Sequence, residues 1–190
     1  MNKNILEKKI WRRVVPVLMC CAGIMLSACF EDKDSTPEKY REWKEQNEKY
    51  VADAEAMTDE NGKLHYEKII PSWAPEAFAL VHWHNDRSQT EKNLSPMDNS
   101  LVSITYQLLD INGKELSSSF DRTDSLYTSR PSNNIIGVWV ALTNMHIGDS
   151  VTMVIPSQAG YGEASHGGIT PYSTLVYNVK MKAIPAYEVP

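Results

Sequence analysis

The amino-acid sequence predicts an α+β fold, an antiparallel sheet with one short helix packed on it and a further helix on its amino-terminal side. Three observations predict it. Apolar residues alternate with a period of two from Leu101 and again from Thr174, the dipeptide Asn112-Gly113 ends the first of these runs, and one short apolar segment, residues 135–145, stands between them. With 190 residues, 42% of them hydrophobic, the chain has room for one core domain plus extensions.

At the amino end, Lys3, Lys8, Lys9, Arg12 and Arg13 precede an uncharged, largely apolar run from Val14 to Leu26. That is the order of an export signal. The run is about 13 residues long, short of the roughly 20 that span a bilayer, and it contains Pro16. It ends in Leu26-Ser27-Ala28-Cys29, which resembles the bacterial lipobox. Residues 1–28 are therefore expected to be a lipoprotein signal peptide and Cys29 the lipidation site. Cleavage there discards Cys20 and Cys21, so neither a disulfide framework nor cysteine catalysis is expected. Acyl chains attach a protein firmly to a membrane, at about 0.8 kcal/mol per buried methylene. The acidic stretch Phe30-Glu31-Asp32-Lys33-Asp34 resembles export signals of surface lipoproteins in the Bacteroidetes. A cell-envelope lipoprotein of the outer membrane is expected, with periplasmic and surface display both open.

The formal charge is -5, from 19 Lys+Arg against 24 Asp+Glu. Setting residues 1–28 aside removes one acid and five bases, which leaves 23 against 14, a formal -9. Such a chain offers no basic surface to phosphate backbones, so no nucleic-acid partner is expected.

Residues 29–63 read as an acidic tether followed by an amphipathic helix from Pro37 to about Met57. Pro suits a first helical turn, Thr36 is the expected N-cap, and Tyr40, Trp43, Asn47, Tyr50, Val51 and Ala54 recur at helical spacing. This stripe is expected to pack on the following domain, with a partner-binding face as the alternative. Asp59-Glu60-Asn61-Gly62 breaks the helix.

The main domain is expected over residues 64–190. Leu64 to Ile70 alternates, Ala79 to His84 is strand-like, and a polar insertion runs from Asn85 to Ser100. His82 and His84 share one face of that strand, and a solvated pair is preferred over metal binding because no third ligand of suitable spacing is evident nearby. Val102, Ile104, Tyr106 and Leu108 share one parity before the turn at residues 110–114, and a second strand follows to about Ser119. After a polar loop, residues 135–145 form a short apolar helix with Gly148 as its stop signal. Val151 to Ile155 is a buried strand, Pro156 to Ser173 a long loop, and Thr174 to Ala183 the final strand.

From about residue 100 to 184 the chain resembles the FKBP family of peptidyl-prolyl cis-trans isomerases. The resemblance rests on Val102-Ser-Ile-Thr-Tyr106 with Asn112-Gly113-Lys114, on Ile135-Ile136-Gly-Val-Trp139 with Met145-His-Ile-Gly148-Asp149, and on Ile155-Pro156, Tyr161-Gly162 and residues 168–179. It implies an FKBP-like curled sheet wrapped around the short helix, an isomerase or folding helper acting on proline-containing polypeptides, and no cofactor. It also implies site roles. Trp139 would floor an apolar cup, and Tyr106 and Tyr177 would wall it. Ile135 and Ile136 would form its rim, with the Ile136 N–H a donor. Tyr161 would donate its hydroxyl to a substrate carbonyl, and His166 and Ile169 would lie over the cup. Bland alternatives stand beside these roles: Trp139 as plain core, the strand tyrosines as inward filling, and His166 as a solvated loop residue. Tyr161 lies between two glycines, where packing gives less reason for an aromatic.

Where the family usually has Phe-Asp after the hairpin, this chain has Leu116-Ser117. Asp121 could restore the carboxylate only if the strand bulges or slips. Weakened catalysis, or a non-catalytic binding module on the same fold, is the alternative expectation, together with a surface lipoprotein subunit. The oligomeric state is left open.

Overall fold

The computed structural model describes residues 36–188; the signal peptide and Cys29 expected above lie outside them. The elements in chain order are helix α1 (Glu38–Ala56), strands β1 (Glu67–Ile69), β2 (Ala79–Trp83), β3 (Leu101–Leu109), β4 (Glu115–Ser118) and β5 (Tyr127–Ser129), helix α2 (Ile136–Thr143), and strands β6 (Ser150–Ile155) and β7 (Leu175–Ala186). The strands form one sheet in the order β1-β2-β6-β7-β3-β4, with β5 also paired to β3. Every pairing is antiparallel, as the alternation required.

The β3–β4 hairpin follows from its turn residues. Gly113 sits at φ +80°, in the left-handed region that favours glycine, and its N–H donates to Asp110 O at 3.0 Å. Asp110 Oδ1 accepts from the N–H groups of Asn112 and Lys114, both at 2.9 Å. The expected parity of β3 holds, with Val102, Ile104 and Leu108 buried.

The sheet curls around α2. Val81, Val102, Ile104, Met153, Ile155, Leu175, Val179 and Met181 meet Val138, Ala141, Leu142 and Met145 in one buried cluster. Gly137 permits this close approach, because a Cβ there would lie 2.4 Å from Ile155 Cγ2. The helix ends at Thr143, two residues before the expected Met145, and Gly148 is not its stop. Asn144 Nδ2 donates to Val140 O at 2.8 Å and Thr143 Oγ1 to Trp139 O at 3.2 Å, so side chains cap the last turn. Gly148, at φ +100°, instead shapes the turn into β6, where its N–H donates to Met181 O.

That turn presents Asp149, which has no exposed surface. Its Oδ1 accepts from Thr90 Oγ1 at 2.5 Å and Asn85 Nδ2 at 3.0 Å, and its Oδ2 from His146 N at 2.8 Å, with Arg87 Nε 3.8 Å away. Burial pushes this carboxyl up, but the hydrogen bonds and the guanidinium outweigh it and hold the group below the usual range. The polar insertion is thus tied to the core by this carboxylate and by bonds from Arg87, Asn93 and Ser95 to the carbonyls of Asn144, Ile147 and Thr143.

Helix α1 covers the other face of the sheet. Ala54 packs with Leu80 and Val154, flanked by Tyr50, Val51, Tyr66 and Phe78. Asn47 is 1% exposed; its Oδ1 accepts from Thr174 N at 2.6 Å, and Thr174 Oγ1 donates to Asn47 O at 3.2 Å. Trp43 Nε1 donates to Ser173 Oγ at 3.1 Å. The aromatic stripe is therefore used on the chain's own domain. Thr36 is not the N-cap. Pro37 holds that position without a side-chain cap, and the Thr36 hydroxyl accepts from Lys44 Nζ at 3.0 Å. No helix among the described residues is long and apolar enough to cross a membrane.

His82 and His84 lie beside this helix-covered face, but not as a simple solvated pair. The His65 ring stacks on His82 at 3.8 Å, His82 Nδ1 lies 2.8 Å from His65 O, and His84 Nε2 lies 2.9 Å from Thr152 Oγ1. Burial, then the neighbouring imidazoles, lower the His84 pKa. Among the described residues no group of three or more His, Cys, Asp or Glu is arranged to hold a metal ion.

Candidate active site

A cup of about 530 Å³ opens between the concave face of the sheet, the start of α2 and the loop after β6. That volume suits a small-ligand or peptide pocket, for which roughly 300–1,000 Å³ is usual. β3 contributes Ile104, Tyr106 and Leu108, β4 contributes Leu116 and Ser117, β5 contributes Tyr127, and β7 contributes Tyr177 and Val179. Ile135 and Val138 come from α2 and its N-cap, Asn133 and Asn134 from the segment before it, and Tyr161, His166, Gly167 and Ile169 from the loop.

Seven of the expected site residues meet there: Tyr106, Leu116, Ile135, Tyr161, His166, Ile169 and Tyr177. Three do not line it. Trp139 faces away from the cup; its ring lies 4.4 Å from that of Trp73 and its Nε1 donates to Asp98 Oδ1 at 2.6 Å. The position beneath the cup belongs to Val138, one residue earlier, because successive helical side chains point about 100° apart. The Ile136 side chain packs on the core outside the cup. As the first helical residue it has no intrahelical acceptor for its N–H. Asp121 is exposed and off the lining. The chain turns outward at Ser119, whose carbonyl accepts from Arg122 N, and this carries Phe120 and Asp121 away.

A bulge does exist in β4, at Leu116. Leu108 pairs Ser117 and Leu109 pairs Glu115, so Leu116 is the extra residue. The irregularity lets two successive residues, Leu116 and Ser117, line the cup where a regular strand would turn one outward. Ser117 Oγ lies 2.9 Å from Tyr106 OH. A hydroxyl thus stands where the resemblance read from the sequence has a carboxylate, as Leu116-Ser117 led one to expect, and the lining holds no Asp, Glu, Lys or Arg.

Four phenols converge on this space. Tyr106 and Tyr127 meet edge to face at 5.5 Å, and Tyr106 and Tyr177 lie 6.0 Å apart. Burial, then the neighbouring phenols, push Tyr161 up and Tyr177 far up, so both remain protonated donors. The hydroxyls of Tyr127, Tyr161 and Tyr177 have no hydrogen-bond partner among the described residues, whereas Tyr106 is tied to Ser117. Tyr161 is held by its loop, its ring stacked on His166 at 4.2 Å. Gly162 N donates to Ser157 O and Tyr172 N to Gly162 O, both at 2.8 Å, and His166 and Ile169 exchange backbone bonds.

Tyr127, Asn133, Asn134 and Val138 were absent from the expected set, as were the strand residues Ile104, Leu108 and Val179. The three strand residues carried a signal, since they share the inward parity of Tyr106 and Tyr177. Tyr127 carried one in its alternation with Thr128 and Ser129, hidden by the shortness of β5. Val138 carried none that chemistry distinguishes from core.

Residues 92–182 match the family described as FKBP-type peptidyl-prolyl cis-trans isomerase. The chain is 35% identical over 91 residues to the FKBP-type peptidyl-prolyl cis-trans isomerase FkpA of Escherichia coli (strain K12), which is 47% of this chain and 33% of that protein. It is 34% identical over 74 residues to FK506-binding protein 2B of Rhizopus delemar, 38% of this chain and 35% of that protein. The chain thus spans about a third of the length of these curated relatives. The crystal structure of Escherichia coli FkpA superposes with a TM-score of 0.62 at 21% identity, over 99% of this chain and 75% of that one. A peptidyl-prolyl cis-trans isomerase from Pseudomonas syringae pv. tomato superposes with a TM-score of 0.61 at 20% identity, over 78% and 97%. The fold is FKBP-like, and residues 92–182 are similar to the FKBP-type peptidyl-prolyl cis-trans isomerase domain.

Proposed function

We propose that this FKBP-type domain catalyses cis-trans rotation about X-Pro bonds in exported polypeptides and is held at a membrane by lipid on Cys29. The observation that carries the first part is the cup itself, a pocket walled by aromatic and aliphatic side chains, without Asp or Glu, that presents unpartnered phenol hydroxyls.

Rotation about the X-Pro bond breaks amide conjugation, with a barrier of about 18–20 kcal/mol. No bond to the protein has to form. The twisted amide is less dipolar than the planar one, so a site that strips water while offering few fixed donors favours the twisted state. Ile135, Val138, Leu116 and Ile169 supply the apolar surround for the proline ring. The Tyr161 hydroxyl and the Ile136 N–H are the donors for the carbonyls flanking it, and Tyr106, Tyr127 and Tyr177 fix the aromatic walls. Trp139 has no part in this reading.

A second reading, a binding module that holds proline segments without turning them over, is favoured by Ser117 in place of the usual carboxylate. One experiment separates the two: the isomerisation rate of a short X-Pro peptide with the purified protein and with Tyr161→Phe. Catalysis reduced roughly tenfold by the variant supports the enzyme, a donor aimed at the transition state being worth about that or more. Peptide binding without acceleration by folded protein establishes the module.

The anchoring rests on Leu26-Ser27-Ala28-Cys29 after an apolar run. In this reading residues 1–28 are removed, residues 29–63 are tether and helix, and residues 64–190 form the isomerase domain in the outer part of the cell envelope. Membrane fractionation of Cys29→Ser tests it: loss of the protein from the membrane fraction is expected, and retention there would refute it.

A further inference from the structure

Beside the cup lies a second, shallower groove of about 460 Å³, bounded by Asn99, Leu101, Arg130, Tyr187 and Glu188. Asn133 belongs to both. The two spaces therefore border one another at that residue.

The groove is built around Asn99, an exposed residue with all four of its polar groups engaged. Its N–H and Nδ2 donate to the two Glu188 carboxylate oxygens at 2.8 and 2.9 Å, its carbonyl accepts from Arg130 Nε at 3.2 Å, and its Oδ1 accepts from Ser132 Oγ at 2.9 Å. Glu188 N donates in turn to Ser100 Oγ at 3.1 Å. These bonds fix both charged walls before any ligand arrives, which lowers the ordering cost of binding. They also leave an asymmetry. Both Glu188 oxygens are satisfied, whereas the two Nη groups of Arg130 have no hydrogen-bond partner among the described residues. The free capacity of the groove is donor capacity, with the Tyr187 ring, 44% exposed, beside it as an apolar surface.

We infer that this groove is a second substrate subsite, which takes the polypeptide segment on one side of the X-Pro bond through an acceptor oxygen on Arg130 and stacking on Tyr187. The inference rests on the cup being the proline site. It makes the preferred substrate an extended polypeptide rather than a minimal proline peptide, since Arg130 and Tyr187 line the groove and not the cup.

The test is affinity, measured by calorimetry on the purified protein, for a tetrapeptide containing X-Pro and for the same peptide lengthened by four residues at its amino or its carboxyl end. Lengthening at one end is expected to tighten binding about tenfold, the scale of one hydrogen bond to a charged group. The same ratio is expected to fall to near one in Arg130→Ala and to drop several-fold in Tyr187→Ala. Glu at the added positions binding more tightly than Gln would identify a side-chain carboxylate as the acceptor, and equal gains a main-chain carbonyl. No gain from either extension, equal gains from both, or a gain that survives Arg130→Ala would overturn the inference. Because the readout is affinity, peptides that bind without turnover defeat the isomerase reading and leave the groove standing, whereas a cup that binds no proline peptide removes both.

Discussion

Gly137→Ala is expected to push α2 off the sheet. The added methyl would meet three Ile155 atoms, Cγ2 at 2.4 Å, Cγ1 at 2.9 Å and Cδ1 at 3.1 Å. Ile155 has no exposed surface and cannot swing aside. Overpacking of this kind costs about 1–3 kcal/mol, and the better helix propensity of alanine returns at most about 1 kcal/mol, so a net loss of about 1–2 kcal/mol is expected. Ile155→Ala alone removes the obstructing atoms and costs about 2–5 kcal/mol through the cavity it opens. In the double variant the new methyl sits in that cavity without a clash. The two losses therefore should not add: a favourable coupling of about 1–2 kcal/mol is expected from urea unfolding of the four proteins, or about 1 M in midpoint at ordinary slopes. Additivity within about 0.5 kcal/mol would show that the helix does not rest on Ile155 through Gly137. Since the cup residues Ile135 and Val138 lie within two positions of that glycine, peptide affinity should fall in Gly137→Ala and partly recover in the pair.

Two further outcomes follow from the buried polar groups. The Asp149 carboxyl has its folded pKa lowered by its hydrogen bonds and Arg87 despite burial, so its stabilisation is complete above the ordinary carboxylate value near 3.9 and is lost as pH falls through the lower folded value. Urea midpoints of wild type and Asp149→Asn should differ clearly at pH 7 and converge below about pH 4; a gap constant to pH 2 would refute this. Asn47→Leu strands the buried Thr174 N–H and should cost about 1–3 kcal/mol in urea unfolding, with Asn47→Asp costing no less, because it buries a charge and sets a carboxylate oxygen against the Trp43 carbonyl that Asn47 Nδ2 now serves.

Apart from β5, which falls in the stretch read as a polar loop, the strands, both helices and most of the cup were legible in the sequence because alternation, the Asn112-Gly113 turn and the apolar segment before Met145 all pointed to one arrangement. What was not legible depended on register or long-range polar contacts. Trp139 and Val138 differ by one position on a helix, and only the packing of Gly137 on Ile155 decides which side chain lies beneath the cup. The family-like spacing suggested the tryptophan, and the glycine contact selects the valine. Asp121 failed for a related reason, since the bulge at Leu116 uses up the irregularity in β4 while the turn at Ser119 directs the next residues outward. The insertion at residues 85–100 read only as polar because nothing local shows that Thr90 and Asn85 serve a carboxylate 59 and 64 residues later.

The position of β7 bears on how the molecule comes to be folded at all. It is the last strand of the described chain, yet it lies at the centre of the sheet, with β6 on one side and β3 on the other. Without it, the ribbon β1-β2-β6 and the group β3-β4-β5 share no backbone hydrogen bonds, and Val102, Ile104, Val151 and Met153 have no common core to enter. The fold therefore closes through contacts of long sequence separation, the kind associated with slower folding. A chain in which β7 is not docked presents the β6 and β3 edges unpaired, which is the condition for mispairing.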